Sequence, residues 1–168
     1  MKDILRYLNG SSDNGIEYQK GGEESIKVFA DADWASACLC LVAGAPVTYH
    51  SRRQHIVALS TTEAEYIAAC EAVREIKWLQ TLYRELDRSI GETTLYIDNQ
   101  SAIRMIQQVE TLRRSKHIDI KYHFIREAYE NKQFKLEYVE TEKQLADYLT
   151  KLLPSPTLER LKKASGIA

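Results

Sequence analysis

Hydrophobic positions change their spacing several times along the chain, and each change marks an element. Residues 1–9 can form one or two helical turns, stopped by Asn9-Gly10 and the polar SSDNG. IEYQK, the turn GGEE and then SIKVFADADW predict a short strand followed by a stronger one. CLCLVAG and APVTYHS, split by Gly44-Ala45, predict two further strands, and strands linked this tightly must pair antiparallel.

From Ser60 to about Leu86 the period becomes helical, with Ala69, Val73, Ile76, Leu79, Tyr83 and Leu86 on one face. TTLYID predicts a strand whose exit through Asn99 caps a short helix, SAIRMIQQV. IDIKYHFIREAYENK predicts a helix ending near Asn131, FKLEYV a strand and TEKQLADYLTK a helix. Pro154 and Pro156 break that helix before a last one, TLERLKKAS. Meandering strands followed by alternating helix and strand predict an α/β fold with a mixed five-stranded sheet, helices packed on it.

Composition narrows the class. A chain of 168 residues with 44% apolar and 28% charged content fits one globular domain. The net charge of −1 advertises no global basic field, so any nucleic-acid surface must be local. Cys38, Cys40 and Cys70 are odd in number and lack CxxC spacing, which predicts reduced thiols rather than a disulfide or zinc site. No apolar run reaches the roughly 18 residues that span a membrane, and MKDILRYLNG lacks a signal-peptide core. The expectation is an intracellular, non-secreted protein without a membrane partner.

Four carboxylates then stand out. Asp31 and Asp98 end the runs IKVFAD and TTLYID, Glu65 opens the long helical pattern, and Asp147 lies in QLADYLTK. Isolated buried anions are costly, so four acids beside apolar residues suggest one cluster neutralised by a cation. Oxygen-only ligands favour magnesium or manganese, and hence metal-assisted phosphodiester chemistry. Each acid also has a plain structural reading. Ser60-x-x-Glu63 matches a capping box, and Thr62-x-x-Glu65 matches one too. Glu65 falls on the apolar stripe, however, and Glu63 lies about 200° away at roughly 100° per residue. Asp33 shares a strand face with Asp31 and could cap the strand end or assist as a ligand; Asp98 could be a helix cap, and Asp147 a lone polar helix residue.

DADWA, STTEAEY, YIDNQSAI, KHIDIKYHFIRE and LEYVETEKQLADYLTKLLP resemble the ribonuclease H region of copia-type LTR retrotransposon polyproteins, in the family's order over residues 27–155. ILRYLNG resembles the end of the preceding reverse transcriptase. That likeness divides the chain into a reverse-transcriptase remnant and linker (1–24), a ribonuclease H domain (25–153) and a C-terminal helix or tail (154–168). It implies the ribonuclease H fold and cleavage of the RNA strand of RNA–DNA hybrids during reverse transcription. Asp31, Glu65, Asp98 and Asp147 would be both catalytic residues and ligands to two Mg²⁺ or Mn²⁺ ions. Such a pair activates the attacking water and stabilises the departing 3′ oxygen.

The implied partners are the hybrid, read through its 2′-OH and minor-groove shape, and the reverse transcriptase of the same polyprotein. The implied setting is the cytoplasm, the nucleus or virus-like particles. Asn99, Gln100, Arg52, Arg53, Arg113, Arg114 and Lys116 are candidate substrate contacts, with a solvated charged face as the alternative for the basic ones. His117 and His123 lack zinc spacing and read as packing residues, as do Trp78 and Tyr83. One departure matters: Trp34-Ala35-Ser36 runs almost directly into ACLCLVAG, where the family carries a polar connection about ten residues longer between the two strands. That shortening keeps open a repurposed module that binds nucleic acid or protein without cutting.

Overall fold

The computed structural model describes residues 2–21, 24–33, 35–54, 58–108 and 116–167, with the backbone alone for Asp3 and for 116–122. Strand β1 (Ile26–Asp33) lies at the centre of a five-stranded sheet ordered β3-β2-β1-β4-β5. It pairs antiparallel with β2 (Ala35–Val42), and β2 pairs antiparallel with β3 (Ala45–Arg52). On its other edge it pairs parallel with β4 (Thr93–Ile97), which pairs parallel with β5 (Lys135–Tyr138). The mixed sheet expected from the pattern is therefore the one that forms. Its helices are α1 (Lys2–Gly10), α2 (Thr61–Glu85), α3 (Gln100–Gln107), α4 (Lys116–Glu130) and α5 (Ser155–Ala164).

Alternation along β1 feeds two cores. Val28 and Ala30 pack with α2 residues such as Tyr66, Val73 and Ile76, and with Ala102 and Ile125 of α3 and α4. Phe29 turns to the opposite face and packs with Leu39, Leu145 and Leu161. A central strand flanked on both faces reads as a continuous apolar run, which is why IKVFA carries so little polar alternation. Hairpin β2–β3 turns through Ala43 and Gly44, both at positive φ (51° and 79°), as a tight two-residue connection requires. At the other hairpin β1 and β2 pair as far as Asp33 opposite Ala35.

Three expectations need correction. IEYQK is no strand: Ile16 makes one isolated bridge to Ile167, and the Glu17 N–H donates to Gly166 O at 2.9 Å. Its facing tail turns away at Gly166, φ 81°, so a ladder cannot extend. TEKQLADYLTK is not one helix but two 3-10 turns, Thr141–Lys143 and Leu145–Leu149. Gln144 between them is extended (φ −68°, ψ 106°), which breaks helical continuation. Trp78 is 54% exposed, since it lies two residues from buried Ile76 and thus on the far side of α2. The cysteines are free and buried, as expected. Among the described residues no helix is long and apolar enough to cross a membrane.

Gly166 ties the tail to the β2–β3 turn: a Cβ there would stand 2.4 Å from Gly44 O, on a backbone that disfavours side chains. Gly166→Ala should cost roughly 1–3 kcal/mol in denaturant unfolding. Gly15→Ala, with nothing within 4 Å of its Cβ, should change stability little.

Candidate metal centre

The register of two parallel strands brings the first two acids together. Phe29 pairs with Tyr96, and the same offset carried two residues further sets Asp31 beside Asp98. Phe29 and Tyr96 stack with ring centroids 4.8 Å apart, so the next rung on that face is a pair of aspartates at the carboxyl ends of β1 and β4. Past these strand ends the chain must leave the sheet, and crevices there are where α/β folds bind ligands.

Asp147 arrives from the second 3-10 turn, which packs on β1 and β2. Fully buried Gln144 fastens that turn: its Nε2 donates to Ala30 O at 2.9 Å, next to Asp31, and its Oε1 accepts from the Ala146 N–H. Ligand oxygens of Asp31, Asp98 and Asp147 consequently lie within 4.8 Å of one another. Glu65 comes from the first turns of α2, on the sheet's other side, and accepts the Ala32 N–H through Oε1 at 3.3 Å. Its Oε2 is buried and has no hydrogen-bond partner among the described residues. Glu63, by contrast, is committed to the helix start: Ser60 Oγ accepts the Glu63 N–H at 3.2 Å and Glu63 Oε2 accepts the Leu59 N–H at 2.7 Å. That capping turns Glu63 back into the fold and buries it to 1% exposure, contrary to the solvent face its angle implied.

The electrostatics follow from this crowding. Burial first, then the negative charges of Asp31 and Asp98, push the Glu65 carboxyl up to about 8. Burial likewise raises Asp147 to about 6, against the pull of Lys151. Lys151 was not anticipated. Its ammonium stands 2.7 Å from Asp147 Oδ1 and 3.2 Å from Asp31 Oδ1. Burial alone would lower its pKa, but the hydrogen bonds and charges of Asp147 and Asp31 raise it. Thr150 Oγ1 donates to Asp31 Oδ2 and Thr141 Oγ1 to Asp98 Oδ2, orienting two of the acids. The four-residue spacing from Asp147 to Lys151 was the one available sequence signal for this pairing.

An all-carboxylate donor set suits a hard divalent cation, and the orphaned Glu65 oxygen is an acceptor for which the described residues supply no donor. The residues present thus fit magnesium or manganese. Of the remaining candidates, Asn99 is occupied as the α3 cap, its Oδ1 accepting the Ala102 N–H at 3.0 Å, and Gln100 is exposed beside it. Asp33 is half-buried and outside the three-aspartate group. Arg52 and Arg53 are exposed at the end of β3, where the Ser51 hydroxyl donates to Leu149 O and so borders the Asp147 turn. Trp34, Arg113 and Arg114 lie outside the described residues, and Lys116 and His117 are described only in their backbone. His123 is exposed.

No family model matches the chain. It is 36% identical over 176 residues to the retrovirus-related Pol polyprotein from transposon TNT 1-94 of Nicotiana tabacum. It is 32% identical over 177 residues to the corresponding polyprotein from transposon RE2 of Arabidopsis thaliana. Each alignment takes in 99% of this chain but only 13% and 12% of the respective polyprotein, so the chain spans about an eighth of their length. Among solved structures it is similar to the N-terminal RNase H domain of a Mycobacterium tuberculosis protein (TM-score 0.53, 13% identity, 84% of this chain and 98% of that one). It is also similar to LC11-RNase H1, solved in complex with RNA/DNA hybrid (TM-score 0.52, 17% identity, 74% and 91%). At these identities the likeness shows the fold, and that fold is ribonuclease H-like.

Raised carboxyl pKa values make stability depend on pH. A carboxyl that holds its proton more tightly when folded stabilises the fold at low pH, and that stability is lost as pH climbs through the folded value. The metal-free protein should therefore lose stability from pH 4.5 towards 8, the ordinary and the raised values of Glu65. Thermal unfolding across that range in a chelator should show the decline, and Glu65→Gln should flatten it.

Proposed function

The chain is a homologue of one segment of the retrovirus-related Pol polyproteins of copia-like transposons, and on that premise we propose that it is a divalent-metal-dependent endonuclease that cuts the RNA strand of RNA–DNA hybrids during reverse transcription. The observation that carries the reading is the gathering of Asp31, Asp98 and Asp147 within 4.8 Å beside a buried, unpartnered Glu65 oxygen. Ribonuclease H-like scaffolds serve several chemistries, so the fold alone does not decide, and it is the gathered acids that support this reading.

In this reading Asp31, Glu65, Asp98 and Asp147 hold two magnesium or manganese ions. When bound, these supply Lewis-acid activation of a water and charge stabilisation at the departing 3′ oxygen. The chain's own residues do the positioning. Thr150 and Thr141 each hold one oxygen of Asp31 and Asp98, and the second Asp31 oxygen meets the Lys151 ammonium. Gln144 holds the Asp147 turn against β1. Glu65, with its carboxyl raised to about 8, keeps a proton at neutral pH until a cation stands close enough to replace it. Arg52 and Arg53 offer phosphate contacts beside the Asp147 turn, and Gln100 a polar contact at the start of α3. The hybrid bound by the structural neighbour LC11-RNase H1 supports the substrate class. The polyprotein setting of the relatives supports a reverse transcriptase as partner.

The short stretch of sequence between the two strands, set against the longer polar one of the family it resembles, favours a second reading, a module that binds nucleic acid or a protein without cutting. A cleavage assay separates them. With Mg²⁺ or Mn²⁺ and a labelled RNA–DNA hybrid, the chain should cut RNA internally, and chelation should abolish cutting. Asp98→Asn should reduce the rate by at least ~100-fold while far-UV circular dichroism stays unchanged. Tight hybrid binding with no cleavage in either metal would favour the binding module instead.

A further inference from the structure

Lys151 has a place in the acid cluster that the hydrolytic reading does not use. Its Nζ reaches Asp31 and Asp147 together, at 3.2 and 2.7 Å, and those two carboxylates are 2% and 8% exposed. The lysine is itself only 26% exposed, so its ammonium is held in the cluster rather than waving above it. The turn aims it there: the Lys151 N–H donates to Asp147 O at 2.8 Å, folding the chain back so that residues 147 and 151 share one face. Two of the oxygens that would bind a cation are thereby already spent on one.

We propose that Lys151 is a resident counter-cation of the metal-free site, holding Asp31 and Asp147 together until a divalent ion displaces its ammonium from them. The inference rests on the metal-site reading and goes beyond it in one respect: it makes metal binding an exchange of cations. Buried like charges repel strongly enough to splay apart without compensation, and an ammonium on a four-carbon stem can supply that compensation and then withdraw towards solvent. Lys151 also lines the open groove beside Leu149 and Leu152, so a path outward exists. The exchange lets the chain fold with its acids already assembled while keeping affinity for divalent ions moderate.

The test compares Lys151→Met, neutral and of similar length, with Lys151→Arg, which keeps the charge. Manganese binding is measured by calorimetry on the whole chain, with melting temperature read in chelator. Lys151→Met should bind Mn²⁺ about tenfold more tightly than the parent and melt at lower temperature without metal, whereas Lys151→Arg should resemble the parent in both. Equal or weaker Mn²⁺ binding by Lys151→Met overturns the exchange and leaves the metal site standing; no binding by any of the three overturns both. Should Lys151→Met fail to fold, Mg²⁺ titration of the unsubstituted chain decides. The Lys151 ε-methylene NMR signals should shift in step with the carboxylate carbons of Asp31 and Asp147, and stationary lysine signals would overturn the proposal.

Discussion

Repulsion among carboxylates is the constraint around which this fold is arranged. Two aspartates end neighbouring parallel strands at the same rung, a third is carried in on a turn, and a glutamate enters from a helix on the other face. Low local dielectric makes every such approach expensive. The surroundings answer with three devices: hydroxyl donors from Thr141 and Thr150, one ammonium from Lys151, and a proton retained on Glu65. Even so, one Glu65 oxygen stays without a hydrogen-bond partner among the described residues. The apolar scaffold on both faces has to be rigid enough to hold that arrangement. Stacked Phe29 and Tyr96 directly beneath the aspartate rung give it a firm floor.

Much of this was legible in the chain because strands state their faces by alternation. Asp31 and Asp98 each close an apolar run, and parallel pairing of those runs needed only the helical crossover between them. The angle around α2 separated Glu65 from Glu63 but misjudged the burial of Glu63, whose carboxylate is occupied at the helix start by the Leu59 N–H. What could not be read depended on tertiary hydrogen bonds. Gln144 leaves helical geometry to bond Ala30 O, a residue 114 positions away, and so turns an apparent helix into two 3-10 turns. Propensity says nothing about such a partner. IEYQK alternates as a strand should, yet its facing tail offers a single bridge. Helical spacing hinted at the pairing of Lys151 with Asp147, but nothing local told of the Asp31 that it meets across the fold.

The pairing of β1 with β2 bears on the site through its register. Pairing runs without slippage from Ile26–Val42 to Asp33–Ala35, so Asp31 keeps its register opposite Ala37. A register slip of one residue would have sent Asp31 to the α2 face and emptied the site. The place of Asp31 is thus set by the strand register and not by the length of the connection between the strands.

Charge also weighs the two functional readings against each other. A module that only binds nucleic acid gains affinity by neutralising phosphates, and a pocket rich in carboxylates works against that end. Three aspartates within 4.8 Å would repel any phosphate brought to this face unless cations intervened. One lysine offsets part of that charge, but it is already shared between Asp31 and Asp147. The acids become an asset for contact with a phosphodiester only when multivalent cations stand between the two sets of oxygens. Binding through this face and metal-assisted chemistry on it are therefore not independent alternatives: the electrostatics that would permit the first are those that enable the second.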